Sequence, residues 1–175
     1  MSKIYIEASV IVDYIKMKVE NNRDLTAFFN QELPKLRSLK SKYHFVILES
    51  SLGEAIGQCL KKGWKDQDVF EALGSFLRET GVEIVRSGKT TTDPWNNEVY
   101  EVFDRANKII KREWSGEIQW GMDIHDIWFL SQVSLDPDCR YIWTLDRRIL
   151  DYGSIYIEIV CEHKINVVET LAGIK

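Results

Sequence analysis

The sequence predicts an α/β domain, a three-layer α/β/α sandwich around a mostly parallel sheet of roughly five strands. Short β-rich runs alternate with longer stretches of helical periodicity along the 175 residues, and this alternation is typical of parallel sheets. A hydrophobic share of 45% is sufficient for a packed core. The length is that of one ordinary domain, so we expect a single domain over residues 1–175.

The predicted strands are short runs rich in β-branched and aromatic residues. They are Lys3–Ile6, Tyr43–Ile47, Val82–Arg86, Arg140–Thr144 and Ile155–Val160. Apolar residues at helical spacing predict a helix after the first strand, with Ser9 as its N-cap. A second helix is expected from Asp24 to about Ser38 and is interrupted or restarted at Pro34.

Five further helices complete the pattern. Two lie between the second and third strands, the first ending at Gly63 and the second at Gly81. A long amphipathic helix is predicted from Trp95, and the run "DIHDIWFLSQVSL" predicts another before the fourth strand. The run "DRRILDYG" predicts a short helix that Gly153 ends.

Composition excludes several classes of protein. The three cysteines are far apart and form no C-x-x-C pair, and the three histidines have no H-E-x-x-H spacing, so neither a disulfide framework nor a zinc site is indicated. A net charge of −4 disfavours binding of nucleic acid by bulk electrostatics but allows a local basic groove. No run approaches the roughly 18 apolar residues of a membrane span, and no signal-peptide pattern opens the sequence, so we expect a cytoplasmic protein.

Acidic residues occur where the strands end. Ligands of open parallel sheets bind beyond the carboxyl ends of the strands, where the following helices begin. Glu7 follows the first strand and Asp146 follows the fourth, while Glu54 and Asp126 are expected in the first turns of neighbouring helices. The sequence therefore predicts four carboxylates at one edge of the sheet.

Most of these acids also have structural interpretations. Ser51 and Glu54 form the S-x-x-E pattern of a capping box, Asp126 follows an Asp123 cap, and Asp146 is itself a candidate N-cap. Glu7 is the exception, because an acid between a strand and an apolar helix pays a desolvation cost without an evident structural gain. Asp123 is either an outer metal ligand or only a cap.

The acids taken together favour a metal site. Crowded carboxylates repel one another unless a cation or helix dipoles neutralise them. Oxygen ligands without histidine or cysteine indicate Mg²⁺ or Mn²⁺. Such an ion activates water and stabilises charge on a phosphodiester.

Four short motifs in the same order resemble those of PIN-domain ribonucleases. "EASVIV" resembles the family's first motif except for its acid, Glu7; Glu54 in "SLGEA" and Asp126 in "HDIWFL" resemble the second and third; Thr144 and Asp146 in "WTLDRRIL" resemble the fourth. The resemblance spans essentially the whole chain. It implies a Mg²⁺- or Mn²⁺-dependent ribonuclease in which Glu7, Glu54, Asp126 and Asp146 surround the metal, while the Ser9 and Thr144 hydroxyls orient the acids or the attacking water.

The departure from the family pattern is Glu7, where the family has aspartate. The extra methylene extends the carboxylate by about 1 to 1.5 Å, comparable with a displacement that costs about a hundredfold in rate. Two alternatives therefore stay open: an active endoribonuclease for single-stranded RNA, or a catalytically impaired PIN-like module that binds RNA or protein. A phosphoacceptor signalling domain is less favoured, because the third strand ends in "VRSG" without an acid.

The expected partners follow from the same resemblance. Arg147 and Arg148 come directly after Asp146 and are the candidate contacts for RNA phosphates. Within the family, the toxin of a toxin–antitoxin pair and an RNA-processing enzyme are competing roles. An antitoxin protein and a second copy of the chain are thus candidate protein partners.

Overall fold

A computed structural model of the chain describes residues 1–86, 98, 100–106, 108 and 122–174. Its elements are β1 (Lys3–Ile6), α1 (Ala8–Glu20), α2 (Arg23–Leu39), β2 (His44–Leu48), α3 (Glu49–Lys61), α4 (Asp66–Thr80), β3 (Glu83–Val85), α5 (Ile124–Ser134), β4 (Cys139–Trp143), α6 (Arg147–Val160), β5 (Asn166–Val168) and a 3₁₀ turn (Leu171–Gly173). Residues 100–106 are also helical. The rest of the long helix predicted from Trp95 lies largely outside the described residues.

The five strands form one parallel sheet in the order β3-β2-β1-β4-β5. β1 is the central strand, and Tyr5 on it is aligned with Val46 of β2 and Ile142 of β4. The chain thus leaves β1 towards β2 and later returns to its other side as β4. This reversal of direction makes the carboxyl ends of β1 and β4 the expected position of a ligand crevice.

Alternate residues of each strand pack on opposite faces of the sheet, because successive strand side chains point to opposite sides. Ile4 and Ile6 belong to a hydrophobic core shared with helices α1 to α4. Tyr5 between them belongs to a second core, shared with α5, α6 and the helical residues Val102 and Ala106. The α/β/α sandwich and parallel sheet predicted from the sequence are confirmed.

The first four strands lie within one residue of their predicted bounds, but the fifth prediction was wrong. Ile155–Val160 continues helix α6, which passes through Gly153, and β5 is the later run Asn166–Val168. The buried positions of α6, Ile149, Gly153, Tyr156, Ile157 and Val160, have helical spacing. A Cβ atom at Gly153 would lie 3.0 Å from Ile149 and 3.6 Å from Val167, so the glycine allows close packing against β5 and does not end the helix.

One prediction about the start of α1 and one about a break within α2 were also wrong. The N-cap of α1 is Glu7, whose carboxylate accepts a hydrogen bond from the backbone of Ser9; Ser9 lies inside the helix. α2 continues without a break from Arg23 to Leu39 with Pro34 inside it.

A polar cluster closes the opposite, amino-terminal edge of the central strands. Asp136, in the turn before β4, accepts hydrogen bonds of 2.8 Å from Lys3 and 2.5 Å from the hydroxyl of Tyr5. Burial alone would raise the pKa of Asp136, but these two donors and the Asp138 amide outweigh it and lower the pKa. The ionised carboxylate therefore connects β1 to the start of β4.

A second buried acid fixes the end of the described chain. Glu32 of α2 accepts a 2.6 Å hydrogen bond from the amide of Leu171 and pairs with Lys35 at 2.8 Å.

None of the helices in the described ranges has the length and apolar character needed to cross a bilayer.

Candidate functional site

Glu7 lies buried directly beyond the carboxyl end of β1, with 5% of its surface exposed. Its oxygen Oε2 accepts hydrogen bonds from the Ser9 amide (2.9 Å), from the Ser9 hydroxyl, and from the Thr144 hydroxyl (2.9 Å). Within the described part of the chain, no donor reaches the other oxygen, Oε1. One oxygen of this buried carboxylate is thus held by three donors, and the other has no partner among the described residues.

Burial dominates the protonation of Glu7. It raises the pKa of Glu7 to about 7, against the donors from Ser9 and Thr144, and the nearby charge of Glu54 adds to the rise. A buried carboxylate with an unsatisfied oxygen is costly for the fold. Its capping bond to Ser9 offsets only a part of this cost, since an N-cap contributes about 1 kcal/mol.

Thr144 connects the ends of β1 and β4. Its buried hydroxyl donates to Glu7 and accepts a 3.0 Å hydrogen bond from the amide of Asp146. The amide of Leu145 donates to the Ser9 hydroxyl at 2.9 Å, and the Glu7 amide donates to the Trp143 carbonyl at 3.0 Å. These bonds fix Glu7 and the backbone of Asp146 at the neighbouring carboxyl ends of β1 and β4.

Asp123 and Asp126 form a capping box at the start of α5. Asp123 is the N-cap, and its carboxylate accepts from the amides of His125 and Asp126, while Asp126 accepts a 2.9 Å hydrogen bond from the Asp123 amide. Asp126 is buried, with 4% of its surface exposed. Burial raises its pKa to about 6, opposed by the Asp123 amide and by the charge of Arg148.

Asp146 is the N-cap of α6 and accepts a 2.8 Å hydrogen bond from the amide of Arg148. Burial alone would raise the pKa of Asp146, but the side chain and backbone of Arg148 outweigh it and lower the pKa. The structural interpretations of Asp123, Asp126 and Asp146 as helix caps therefore hold, and all three caps face the same edge of the sheet.

Arg148 contacts all three of these acids. Its guanidinium lies 2.8 Å from Asp146, 3.4 Å from Asp126 and 3.4 Å from Asp123. The sequence suggested a phosphate contact for Arg148 but gave no sign of this bridge. Arg147 beside it is exposed and pairs only with Asp151, at 3.2 Å, among the described residues.

Glu54 lies one turn further into its helix than the sequence predicted. Helix α3 begins at Glu49, its N-cap Leu48 makes no side-chain bond, and Ser51 and Glu54 form no capping box. Glu54 thus lies in the second turn, half-buried and bonded to Gln58 at 2.9 Å.

The other acids nevertheless influence Glu54. Burial raises its pKa, the charges of Asp123 and Asp146 add to the rise, and His125 opposes it. His125 is thereby a neighbour of Glu54, a position that its sequence context did not indicate.

The side-chain oxygens of the clustered acids suit a hard divalent cation as ligands. All are carboxylate oxygens, as Mg²⁺ and Mn²⁺ prefer, and Oε1 of Glu7 accepts no hydrogen bond from the part of the chain that the structure describes. In the described ranges, however, no three acidic, histidine or cysteine side chains are arranged around a common point that could hold an ion. The donor chemistry therefore fits, while coordination by three carboxylates needs side chains, Arg148 among them, to move from the positions described.

Fold and edge together define a class: α/β/α domains whose parallel sheet carries clustered carboxylates at its carboxyl edge. Among solved structures, the chain is similar to VapBC2 from Rickettsia felis, crystallised bound to a DNA fragment from its promoter. The TM-score is 0.59 at 13% identity, and the match covers 94% of this chain and 96% of that one. At this identity the likeness shows the fold alone. No protein-family model and no curated protein sequence matches the chain.

Proposed function

We propose that the protein is a Mg²⁺- or Mn²⁺-dependent nuclease that cleaves single-stranded RNA. The observation that carries the proposal is the buried Glu7, which lies at the carboxyl end of β1, where the strand order of the sheet reverses its direction. Its Oε1 has no donor among the described residues. A carboxylate kept there at a cost to stability is typical of functional sites. The PIN-like fold shared with a toxin–antitoxin complex supports the same class of enzyme.

The acidic side chains of the site are the ligands of the cation in this proposal. Glu7, Glu54, Asp126 and Asp146 would hold the cation, with Asp123 as an outer ligand. When bound, the cation supplies activation of water and stabilisation of charge on the phosphodiester.

The remaining residues position these acids and the substrate. The hydroxyls of Ser9 and Thr144 fix the orientation of Glu7 by bonding only its Oε2. Arg147, exposed and paired only with Asp151 in the described structure, is available for a backbone phosphate.

Cleavage of labelled single-stranded RNA in the presence of Mn²⁺ tests the proposal. We expect cleavage that a chelator abolishes and that Asp126→Asn reduces at least about a hundredfold. Asp138→Asn is the matched control, because it removes an exposed acid at the opposite, amino-terminal edge of the sheet. If the native protein gave no chelator-sensitive cleavage, the nuclease proposal would be wrong.

A second candidate function is a non-catalytic PIN-like module that binds RNA or protein. The observation in its favour is Arg148, whose single positive charge already contacts three of the acids without any added ion. RNA binding that is unaffected by chelator, in the absence of any cleavage, would favour this alternative.

The toxin role is a proposal of the same kind. An antitoxin partner is suggested by the two-protein complex that shares the fold. A small protein encoded beside this one that co-purifies with it and suppresses cleavage would support the toxin role; cleavage unaffected by such a protein would favour RNA processing. Sedimentation of the isolated chain would test the proposed homodimer.

A further inference from the structure

The Arg148 guanidinium occupies the centre of the charge cluster formed by Asp123, Asp126 and Asp146. It reaches both oxygens of Asp146, through Nη2 at 2.8 Å and through Nε at 3.2 Å. Nη1 lies 3.4 Å from Asp123, and Nη2 lies 3.4 Å from Asp126. One side chain from the first turn of α6 thus bridges the N-termini of two helices.

Several carboxylate oxygens that could contact a cation face Arg148 in the ion-free protein. Oδ2 of Asp126 faces Nη2 and already accepts a hydrogen bond from the Asp123 amide. Oδ1 of Asp146 accepts from the amide and Nε of Arg148, and its Oδ2 accepts from Nη2. Carboxylate oxygens filled by N–H donors have few lone pairs left for a metal, so guanidinium and ion compete for the same positions.

Charge balance gives the same result. Without a cation, three neighbouring carboxylates repel one another, and a single guanidinium relieves part of this repulsion. A divalent ion would relieve more of it and would make the guanidinium an unfavourable close neighbour. The Arg148 side chain is 43% exposed, so it has a route into solvent that the buried Asp126 lacks.

We propose that Arg148 is a displaceable internal cation of this site: it bridges Asp123, Asp126 and Asp146 in the ion-free protein, and a divalent ion binds these acids only after the guanidinium has moved away. The inference rests on the proposed function, because it takes that ion as the cofactor. The released guanidinium is then free for a phosphate of the substrate. The site thus carries its own competitor for the metal.

The affinity for Mn²⁺, measured without RNA, tests the inference. It can be measured by titration calorimetry or by the electron paramagnetic resonance signal of free Mn²⁺. We expect Arg148→Gln to bind Mn²⁺ about tenfold more tightly than the native protein. Arg147→Gln is the matched control, since it removes the same charge from the neighbouring residue, which pairs only with Asp151 in the described ranges. Its affinity should change by less than about twofold.

A second variant and a melting experiment distinguish a change in Mn²⁺ affinity from a loss of folding. Arg148→Lys keeps the charge but lacks the planar fork that spans several carboxylates, so its Mn²⁺ affinity should lie between those of the native protein and Arg148→Gln. In chelator, Arg148→Gln should melt at a lower temperature than the native protein, and saturating Mn²⁺ should raise its melting temperature by more.

The outcomes separate this inference from the proposed function. Equal Mn²⁺ affinity in the native protein and both Arg148 variants, together with chelator-sensitive cleavage, would overturn the inference and leave the nuclease intact. Binding by Arg148→Gln but not by the native protein would also overturn it, because the arginine would then be a permanent substitute for the ion. Absence of Mn²⁺ binding in every variant would remove the nuclease proposal and the inference with it.

Discussion

The hydroxyl of Thr144 lies 2.9 Å from Oε2 of Glu7 and donates a hydrogen bond to it, across the carboxyl ends of β4 and β1. Both residues are buried. The bond fixes one oxygen of the carboxylate and leaves the other without a donor in the described structure. Glu7 therefore combines a defined orientation with one oxygen that has no donor among the described residues.

Replacement of Glu7 by glutamine should stabilise the ion-free protein above neutral pH. Burial raises the pKa of Glu7 from 4.5 to about 7, so the folded state holds this proton more tightly than the unfolded chain does. Stability contributed by the protonated form is then lost as the pH rises between those two values, with a total of about 3 kcal/mol. Chelator-treated Glu7→Gln should exceed the native free energy of unfolding at pH 8 and match it near pH 4.5.

Urea unfolding at the two pH values measures this effect. Glu158→Gln, an exposed glutamate of α6, is the control and should show no such difference. A Glu7→Gln protein less stable than the native one at both pH values would instead identify Glu7 as a structural cap.

Replacement of Thr144 by valine should destabilise the protein by about 1 to 3 kcal/mol, because it leaves the Asp146 amide and Glu7 each short of a partner. The variant also removes one of the bonds that lower the pKa of Glu7. Loss of stability with rising pH should therefore extend to higher pH than in the native protein. Urea unfolding across the pH range measures both effects.

The matched variant for this contact is Thr144→Ser, which keeps the hydroxyl and should retain most of the stability. Equal destabilisation by valine and serine would attribute the effect to packing of the methyl group and not to the hydrogen bonds.

Replacement of Asp136 by asparagine should cost about 1 to 3 kcal/mol at pH 7, because the bonds from Lys3 and Tyr5 lose their charged acceptor. Burial opposes ionisation of Asp136, but its donors outweigh burial and lower its pKa below the ordinary 3.8. Its stabilisation is thus present above pH 3.8 and disappears as the pH falls through the lowered value.

Unfolding at pH 7 and near pH 2.5 should show that the difference between Asp136→Asn and the native protein shrinks in acid. Asp138→Asn, two residues away, is the control. A difference that persisted unchanged at the lower pH would mean that shape and not charge decides the contact.

The central strands could be predicted from sequence, because runs such as Lys3–Ile6 are rich in β-branched residues and are bounded by helical periodicity. The run Ile155–Val160 has the same composition but forms helix, since packing on β5 and α5 buries its residues at helical spacing. The true β5, Asn166–Val168, is three residues long. A run this short does not stand out from its surroundings.

Part of the candidate site could also be predicted from local sequence, and part of it could not. Glu7 and Asp146 were identifiable because a strand-end acid is visible locally. The contact of Arg148 with Asp123 and Asp126 depends on how α5 and α6 meet, which no local pattern encodes. The partners of Asp136 were missed for the same reason, because Lys3 and Tyr5 lie at the other end of the chain.

The position of β1 at the centre of the sheet has a consequence for local opening of the native protein. Opening begins where few contacts hold the backbone, as in the three-residue edge strands β3 and β5. The strand β5 is connected to the site, because the Thr144 amide donates to the Val168 carbonyl at 3.1 Å, whereas β3 lies at the opposite edge. None of the hydrogen bonds described for Glu7, Ser9 and Thr144 involves β3. Fraying of this edge would therefore leave the carboxylates in place, and the amides around them should be among the slowest to exchange with solvent.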